Sequence, residues 1–302
     1  MKIGLTFSNR YCRHLGLDWK KTYQDILDRG IFNTVRIPIY WDKIEPSSGE
    51  FNWENVDFIV NTTKKYTKIR ILPVLGRKTP RWPEYHEPVW LENCTYQSRV
   101  DSFLQYFNKF IERYPNFKTI QIENEPLVDF GLAQIPISIK EFTDRVQAIR
   151  SLFKGEIITS DSIEWGNISR TLSIVDKVGI NIYPRVYTST KKVNHRSNIF
   201  RKYRRLAKRY QNRLFVAELQ AEPWWTSHVK HLTSKNIRKT IKPVYIYKYY
   251  KKLTKHTDTL LYWGVEWWYY QLNSKDYNSR REGEEYIKQI EKVCNHNNKF
   301  DK

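Results

Sequence analysis

Short runs of apolar and β-branched residues recur along this chain, and most are followed by a segment in which apolar positions return every three or four residues. The runs cover residues 2–8, 34–40, 69–75, 118–123, 156–160, 177–183, 214–218 and 259–265, each rich in Ile, Val, Leu, Phe or Tyr. Such recurring runs suit strands of a parallel sheet, and the 3.6-residue period between them suits helices packed over it. Helices are predicted over residues 20–29, 54–66, 99–114, 138–153, 198–210, 243–254 and 282–293, several opened by a capping residue such as Asn52, Ser138 or Ser197. The segment 167–175 is shorter and predicts a short helix or a helical turn. Eight units of this kind predict an α/β fold, a (β/α)8 barrel formed by one domain over residues 1–302, without linker or internal repeat. The connections after the second, third, seventh and eighth runs carry Pro, Gly, Ser and Trp, and in a barrel these loops build sites at the strand C-terminal face.

Composition supports a large buried core: 40% of the 302 residues are hydrophobic and 15% aromatic. The first residues contain no apolar stretch of signal-peptide length, and no later run approaches the roughly 18 apolar residues of a membrane-spanning helix. A cytoplasmic protein with no membrane span is therefore expected, with secretion of a trimmed form left open. Cys12, Cys94 and Cys294 are scattered and odd in number, which argues against a disulfide framework. The net charge of +20 raises the question of an anionic partner. No Asp or Glu occurs between Asp176 and Glu218, while Arg201, Lys202, Arg204, Arg205, Lys208 and Arg209 crowd one predicted helix. That helix face is either simply solvated or a surface for nucleic acid or another anionic polymer.

Two carboxylates stand where predicted strands open into loops. The fourth run leads into Glu123-Asn124-Glu125-Pro126, and the seventh ends at Glu218 with Glu222 four residues on. A partly desolvated Glu at a strand end has a raised pKa and can donate a proton, although a Glu that caps the following segment would look the same. Alternation puts Leu214, Val216 and Glu218 on one face. If that face lines the barrel, Glu218 points into its mouth opposite Glu125, as glycosidic hydrolysis requires. Glu222 is the competing carboxylate.

These residues resemble those of glycoside hydrolase clan A, the cellulase-like and β-galactosidase-like TIM barrels, near glycoside hydrolase family 5. Asn-Glu-Pro at 124–126 and the Glu at 218 are similar to the clan's paired carboxylates. Val35-Arg36-Ile37-Pro38-Ile39-Tyr40-Trp41 resembles the second strand, Asn181-Ile182-Tyr183-Pro184 the sixth, and Trp263-Gly264-Val265-Glu266-Trp267-Trp268 the eighth. The resemblance spans residues 3–270 in the expected order. The third strand, ending at Gly76-Arg77, lacks a His that many cellulase-like members carry.

The resemblance implies Glu125 as acid/base and Glu218 as nucleophile. Arg36 is expected to hold Glu218 ionised, Asn124 to bond a sugar 2-hydroxyl, and Tyr183 to orient Glu218. Trp41, Trp82, Trp165, Trp224, Trp225, Trp267 and Trp268 follow predicted strands and are expected to offer stacking faces on the rim, with core packing as the alternative for any one of them. His228 and His231 form the one close histidine pair, with no Cys or carboxylate to complete a metal site. No Gly-rich phosphate loop and no nucleophile elbow is present, so neither metal nor cofactor is expected. A retaining β-glycosidase, endo-acting on a β-glucan or β-mannan, is the function expected, with an inactive or transglycosylating carbohydrate-binding barrel as the alternative.

Overall fold

The computed structural model describes residues 1–131, 137–187, 192–196, 198–225 and 232–298. Eight strands form a closed barrel: β1 (Lys2–Thr6), β2 (Thr34–Pro38), β3 (Arg70–Leu75), β4 (Thr119–Ile122), β5 (Glu156–Ser162), β6 (Lys177–Ile182), β9 (Leu214–Gln220) and β10 (Thr259–Trp263). Their order around the barrel is β1-β10-β9-β6-β5-β4-β3-β2, and the pairing is parallel, as in Ile120 beside Ile157 and Ile3 beside Leu260. Strands of this kind are covered on both faces, which favours apolar residues along them. All five residues of β2 and all seven of β9 are buried.

Each predicted strand falls on a barrel strand. The predicted helices correspond to α2 (Trp19–Asp28), α4 (Glu54–Thr63), α5 (Tyr96–Arg113), α6 (Ile139–Leu152), α7 (Ile168–Leu172), α8 (Ile199–Tyr210), α10 (Pro243–Leu253) and α12 (Tyr277–Asn298). Ser138 caps α6 by accepting from the Glu141 N–H. Trp53, not Asn52, is the cap residue of α4, although the Asn52 side chain accepts from the Glu54 N–H at 3.0 Å. Ser197 lies outside the described residues.

Further short elements follow the strands. They are α1 (Asn9–Leu15) after β1, α3 (Trp41–Ile44) after β2, α11 (Val265–Leu272) after β10, and α9 (Ser234–Thr240) before α10. A hairpin of β7 (Arg185–Tyr187) and β8 (Val193–His195) follows β6.

The chain packs as two compact units, residues 1–35, 66–70 and 180–302, and residues 36–65 and 71–179. In the first, α11 and α12 meet through Trp268 stacked on Tyr286 at 5.6 Å. In the second, Trp41, Tyr106, Trp53 and Phe110 form an aromatic core, with Trp41 and Tyr106 stacked at 5.2 Å. Cys12, Cys94 and Cys294 form no disulfide. Among the described residues no helix is long and apolar enough to cross a membrane.

Candidate active site

Beyond Ile122 the chain leaves β4 through a turn in which Glu123 and Glu125 have φ of 60° and 45°. Side chains other than Gly rarely adopt such values, so the turn needs holding. Glu123 supplies much of that hold. It is fully buried, and its carboxylate accepts the Lys78 N–H at 2.7 Å, the Arg77 N–H at 3.3 Å and a bond from Arg145. Arg145 also donates to Glu141 at 2.9 Å. The Glu123 carboxylate lies over Gly76, where a Cβ would approach it to 2.4 Å, so residue 76 has no room for a side chain.

Asn124 is buried next to it. Its Oδ1 accepts from Arg36 Nη2 and from Ser160 Oγ, both at 2.7 Å, and its Nδ2 donates to Glu84 Oε2 at 3.2 Å. Arg36 is itself fully buried and donates through Nε to Gln121 at 2.8 Å. The peptide groups of the half-buried Glu125 are tied at both ends. Its N–H donates to Ser160 Oγ at 3.3 Å, and its carbonyl accepts from Lys78 Nζ at 2.8 Å. Lys78 also donates to the Val128 carbonyl at 2.6 Å. Burial lowers the Lys78 pKa, and the carboxylates of Glu125, Glu84 and Glu123 act against that shift. The side chain of Glu125 is thus carried on a backbone fixed from both sides.

Glu218 has a different support. Between β9 and β10 the register advances three residues on β9, Val216 to Leu219, for two on β10, Leu260 to Tyr262. The extra residue falls in the stretch that contains Glu218, and a bulge at that point re-aims a side chain and increases local twist. Glu218 is buried, and the Tyr183 hydroxyl donates to its Oε2. Trp224 lies against Tyr183, with ring centroids 4.5 Å apart. The Tyr187 N–H donates to the Trp224 carbonyl at 3.1 Å, and the Tyr187 ring stacks on Trp225 at 3.6 Å.

Glu222, the competing carboxylate, accepts from the Tyr11 hydroxyl at 2.8 Å. It sits under Gly264, whose φ is 99° and where an added Cβ would come within 2.3 Å of the Glu222 Cβ. Trp268 Nε1 donates to the Ala221 carbonyl at 2.7 Å, so α11 clamps the same loop.

The tryptophans divide into two groups. Trp82 and Trp165 are 62% and 65% exposed, in the connections after β3 and β5, and Trp224 and Trp225 are half-buried. Trp41 and Trp267, expected as stacking faces, have only 1% of their surface exposed. Trp41 opens α3, stacks on Tyr106 and donates through Nε1 to Glu45 at 2.7 Å. Trp267 lies within α11 against Tyr270. Trp268 is fully buried as well. These three are packing residues, because the short helices that begin directly after β2 and β10 turn them inward, and the expectation that they face the rim is corrected.

Ser160, Lys78 and Glu84 were not foreseen. Ser160 had the clearest signal, since it ends a predicted strand at the face where the other site residues were sought. His228 and His231 lie outside the described residues, and among those described no group of three or more His, Cys, Asp or Glu could hold a metal ion.

The sequence matches no family profile and no curated protein. Solved structures with the same architecture are found. A psychrophilic glycoside hydrolase family 10 endo-β-1,4-xylanase aligns with a TM-score of 0.58 at 14% identity, over 88% of this chain and 86% of that one. GH5_18 from Bifidobacterium longum subsp. longum aligns with a TM-score of 0.60 at 14% identity, over 87% and 69%. An exo-β-1,4-mannosidase from an Opitutaceae bacterium aligns with a TM-score of 0.61 at 13% identity, over 98% of this chain and 60% of that one. At these identities the likeness is one of fold, and the fold of this chain is the TIM barrel found in clan A glycoside hydrolases.

Proposed function

We propose that this barrel is a retaining glycoside hydrolase that cleaves a β-glycosidic bond by double displacement. The observation that carries it is the Tyr183 hydroxyl bonded to the carboxylate of Glu218 on β9, since a donor at that carboxylate fixes its direction for attack. Glu125, on its fixed turn after β4, is the partner carboxyl. Both follow the direction of parallel strands in one closed barrel, so both belong to the strand C-terminal face, where barrel enzymes build their sites.

In the first step Glu125 gives its proton to the leaving oxygen as Glu218 attacks the anomeric carbon and the glycosidic C–O bond breaks. In the second, Glu125 takes a proton from water, whose oxygen displaces Glu218 and restores the carboxylate. The retaining route requires the two carboxyls to stand about 5–5.5 Å apart. Arg36 and Ser160 hold Asn124 at the start of the acid/base turn. Exposed Trp82 and Trp165 offer faces on which the apolar C–H surfaces of sugar rings stack. Two such faces on separate loops support a chain substrate, a β-glucan or β-mannan cut internally, with Trp224 beside Tyr183 as a further contact.

The test is hydrolysis of aryl β-glycosides and of soluble β-glucans, mannans and xylans by wild type, Glu218→Ala and Glu125→Ala. Activity lost in Glu218→Ala and restored by azide as the α-glycosyl azide is the expected result. Turnover that survives both substitutions would exclude the mechanism. Oligosaccharide products longer than the donor would identify transfer to sugar rather than to water, and binding without turnover in wild type would identify a carbohydrate-binding barrel.

A further inference from the structure

The basic helix α8 bears on a second site. Its buried face is Ile199, Phe200 and Tyr203, and its outer face carries Arg201, Arg204, Arg205 and Lys208 at the i, i+3, i+4 and i+7 positions of one helical stripe. Lys208 lies in the last turn, where a cation meets the negative end of the helix dipole, but Arg201 lies in the first turn, which has no acidic residue. Like charges at these spacings repel, so the stripe works against the helix that carries it.

The same four residues line an open cavity of about 880 Å³, closed on its other side by residues 254–258 in the connection from α10 to β10, Lys255 and His256 among them. The cavity also takes in Gln211, Asn212 and Leu214 at the entry to β9, which places it at the N-terminal ends of β9 and β10, the opposite end of these strands from the face that bears Glu218. Asp258 is the one carboxylate in its lining. Among the described residues no carboxylate lies within ion-pair distance of Arg201, Arg204, Arg205, Lys208 or Lys255. Elsewhere arginines are paired, as in Arg113 with Asp57 at 2.6 Å and Arg150 with Asp176 at 2.6 Å. The crowding is felt locally: burial, Arg204 and Lys255 lower the pKa of His256.

We infer that this basal cavity binds a compact anion bearing several phosphate groups. Guanidinium forks converging from one helix face match phosphate oxygens in pairs, and an anion there removes the repulsion along α8. The concave volume is that of a small-molecule site. No Phe, Tyr or Trp lines it, so it lacks the broad stacking platform that single-stranded nucleic acid uses, and Ala207 and Leu214 are too small an apolar surface to enter a membrane.

The probe is sodium tripolyphosphate, titrated into the full chain at low ionic strength and followed by calorimetry and thermal unfolding. Saturable binding with a raised thermal midpoint is expected. Arg204→Gln/Arg205→Gln should weaken it by about tenfold or more through lost charge-assisted hydrogen bonds. Lys65→Gln/Lys68→Gln, an equal charge change outside the cavity lining, should change it by less than about threefold. Because neutralisation relieves repulsion, the first variant should melt no lower than wild type without ligand, which separates lost binding from lost folding. Equal weakening by the two pairs would mean attraction to net charge alone and overturn the site. Duplex DNA or a heparin fragment binding through the cavity while tripolyphosphate does not would overturn the compact ligand. None of these readouts depends on glycosidase activity.

Discussion

Glu125 follows β4 on a turn whose residues 123 and 125 have φ of 60° and 45°, whereas Glu218 lies within β9, a strand of seven buried residues interrupted only by a bulge. Around the first, buried charges do the holding: Arg145 and two backbone N–H groups on Glu123, Lys78 on the Glu125 carbonyl, Arg36 on Asn124. At the second, the Tyr183 phenol donates to the carboxylate and the Trp224 indole lies against Tyr183. A residue that must change protonation during turnover gains from a backbone that is rigid while its side chain stays half-exposed. A nucleophile that forms a bond along one line gains from a strand that sets its direction. The difference matches the roles proposed for the two.

The largest effects should come from the carboxylates themselves. Glu218→Gln is expected to lower kcat by roughly 10⁴- to 10⁶-fold on every substrate, the scale seen when a nucleophile is removed. Glu125→Gln is expected to cost about 10²- to 10⁴-fold in kcat/KM on glycans, and far less in kcat/KM on aryl glycosides, whose phenol leaves without a proton. Equal losses on both substrate types would break the assignment of roles. A stability measurement addresses the turn. Arg145→Met leaves the fully buried Glu123 without its guanidinium, and urea unfolding should show a loss of about 3–5 kcal/mol. A loss under about 1 kcal/mol would mean that charge does not hold the turn.

Asp161 sharpens the same contrast, because it follows Ser160 on β5 and is 1% exposed. Burial drives its carboxyl up to about 6, against the bonds it accepts from the Thr171 hydroxyl and the Ser162 N–H. A pKa above the unfolded value of 3.8 means that folding favours the protonated form. Its contribution is fully present below that value and is lost as pH rises through about 6. Asp161→Asn should therefore raise stability at neutral pH, by up to about 3 kcal/mol, and flatten the decline between about pH 4 and pH 6. Urea midpoints across that range check it, and an unchanged slope would remove Asp161 as its source.

Much of the barrel could be read in the chain because its strands are buried on both faces. β2 and β9 are rich in apolar residues for that reason, and Glu125 and Glu218 stand where such runs end. The direction of Glu218 did not follow, since simple alternation from Leu214 and Val216 does not register the bulge between Val216 and Leu219. Trp41 and Trp267 look like rim residues because they come just after strands. α3 has only four residues, too few for a helical period to show which side is buried. Lys78 could not be foreseen, since a lysine 1% exposed is rare and nothing in its neighbours marks it. Ser160 could be placed at a strand end, but its position alone does not tell that it bonds Asn124.

The smallest and most discriminating comparison deletes one hydroxyl in each setting. Tyr183→Phe removes a donor to a carboxylate, a charge-assisted bond worth about 1.5–3 kcal/mol, so kcat should fall by roughly 10- to 150-fold. That bond must re-form as Glu218 leaves the glycosyl-enzyme as a carboxylate, so its loss should fall mainly on kcat. Ser160→Ala removes a neutral donor to Asn124 and an acceptor for Gln121 and the Glu125 N–H. Leaving those buried groups unpaired should cost about 1–3 kcal/mol of stability, with kcat reduced only as far as the Glu125 turn loosens. Measured together, the two variants should separate: one loses rate, the other stability. If Ser160→Ala lost rate and kept its midpoint, the turn would serve the chemistry directly rather than as a support, and the contrast between the two carboxylates would fall.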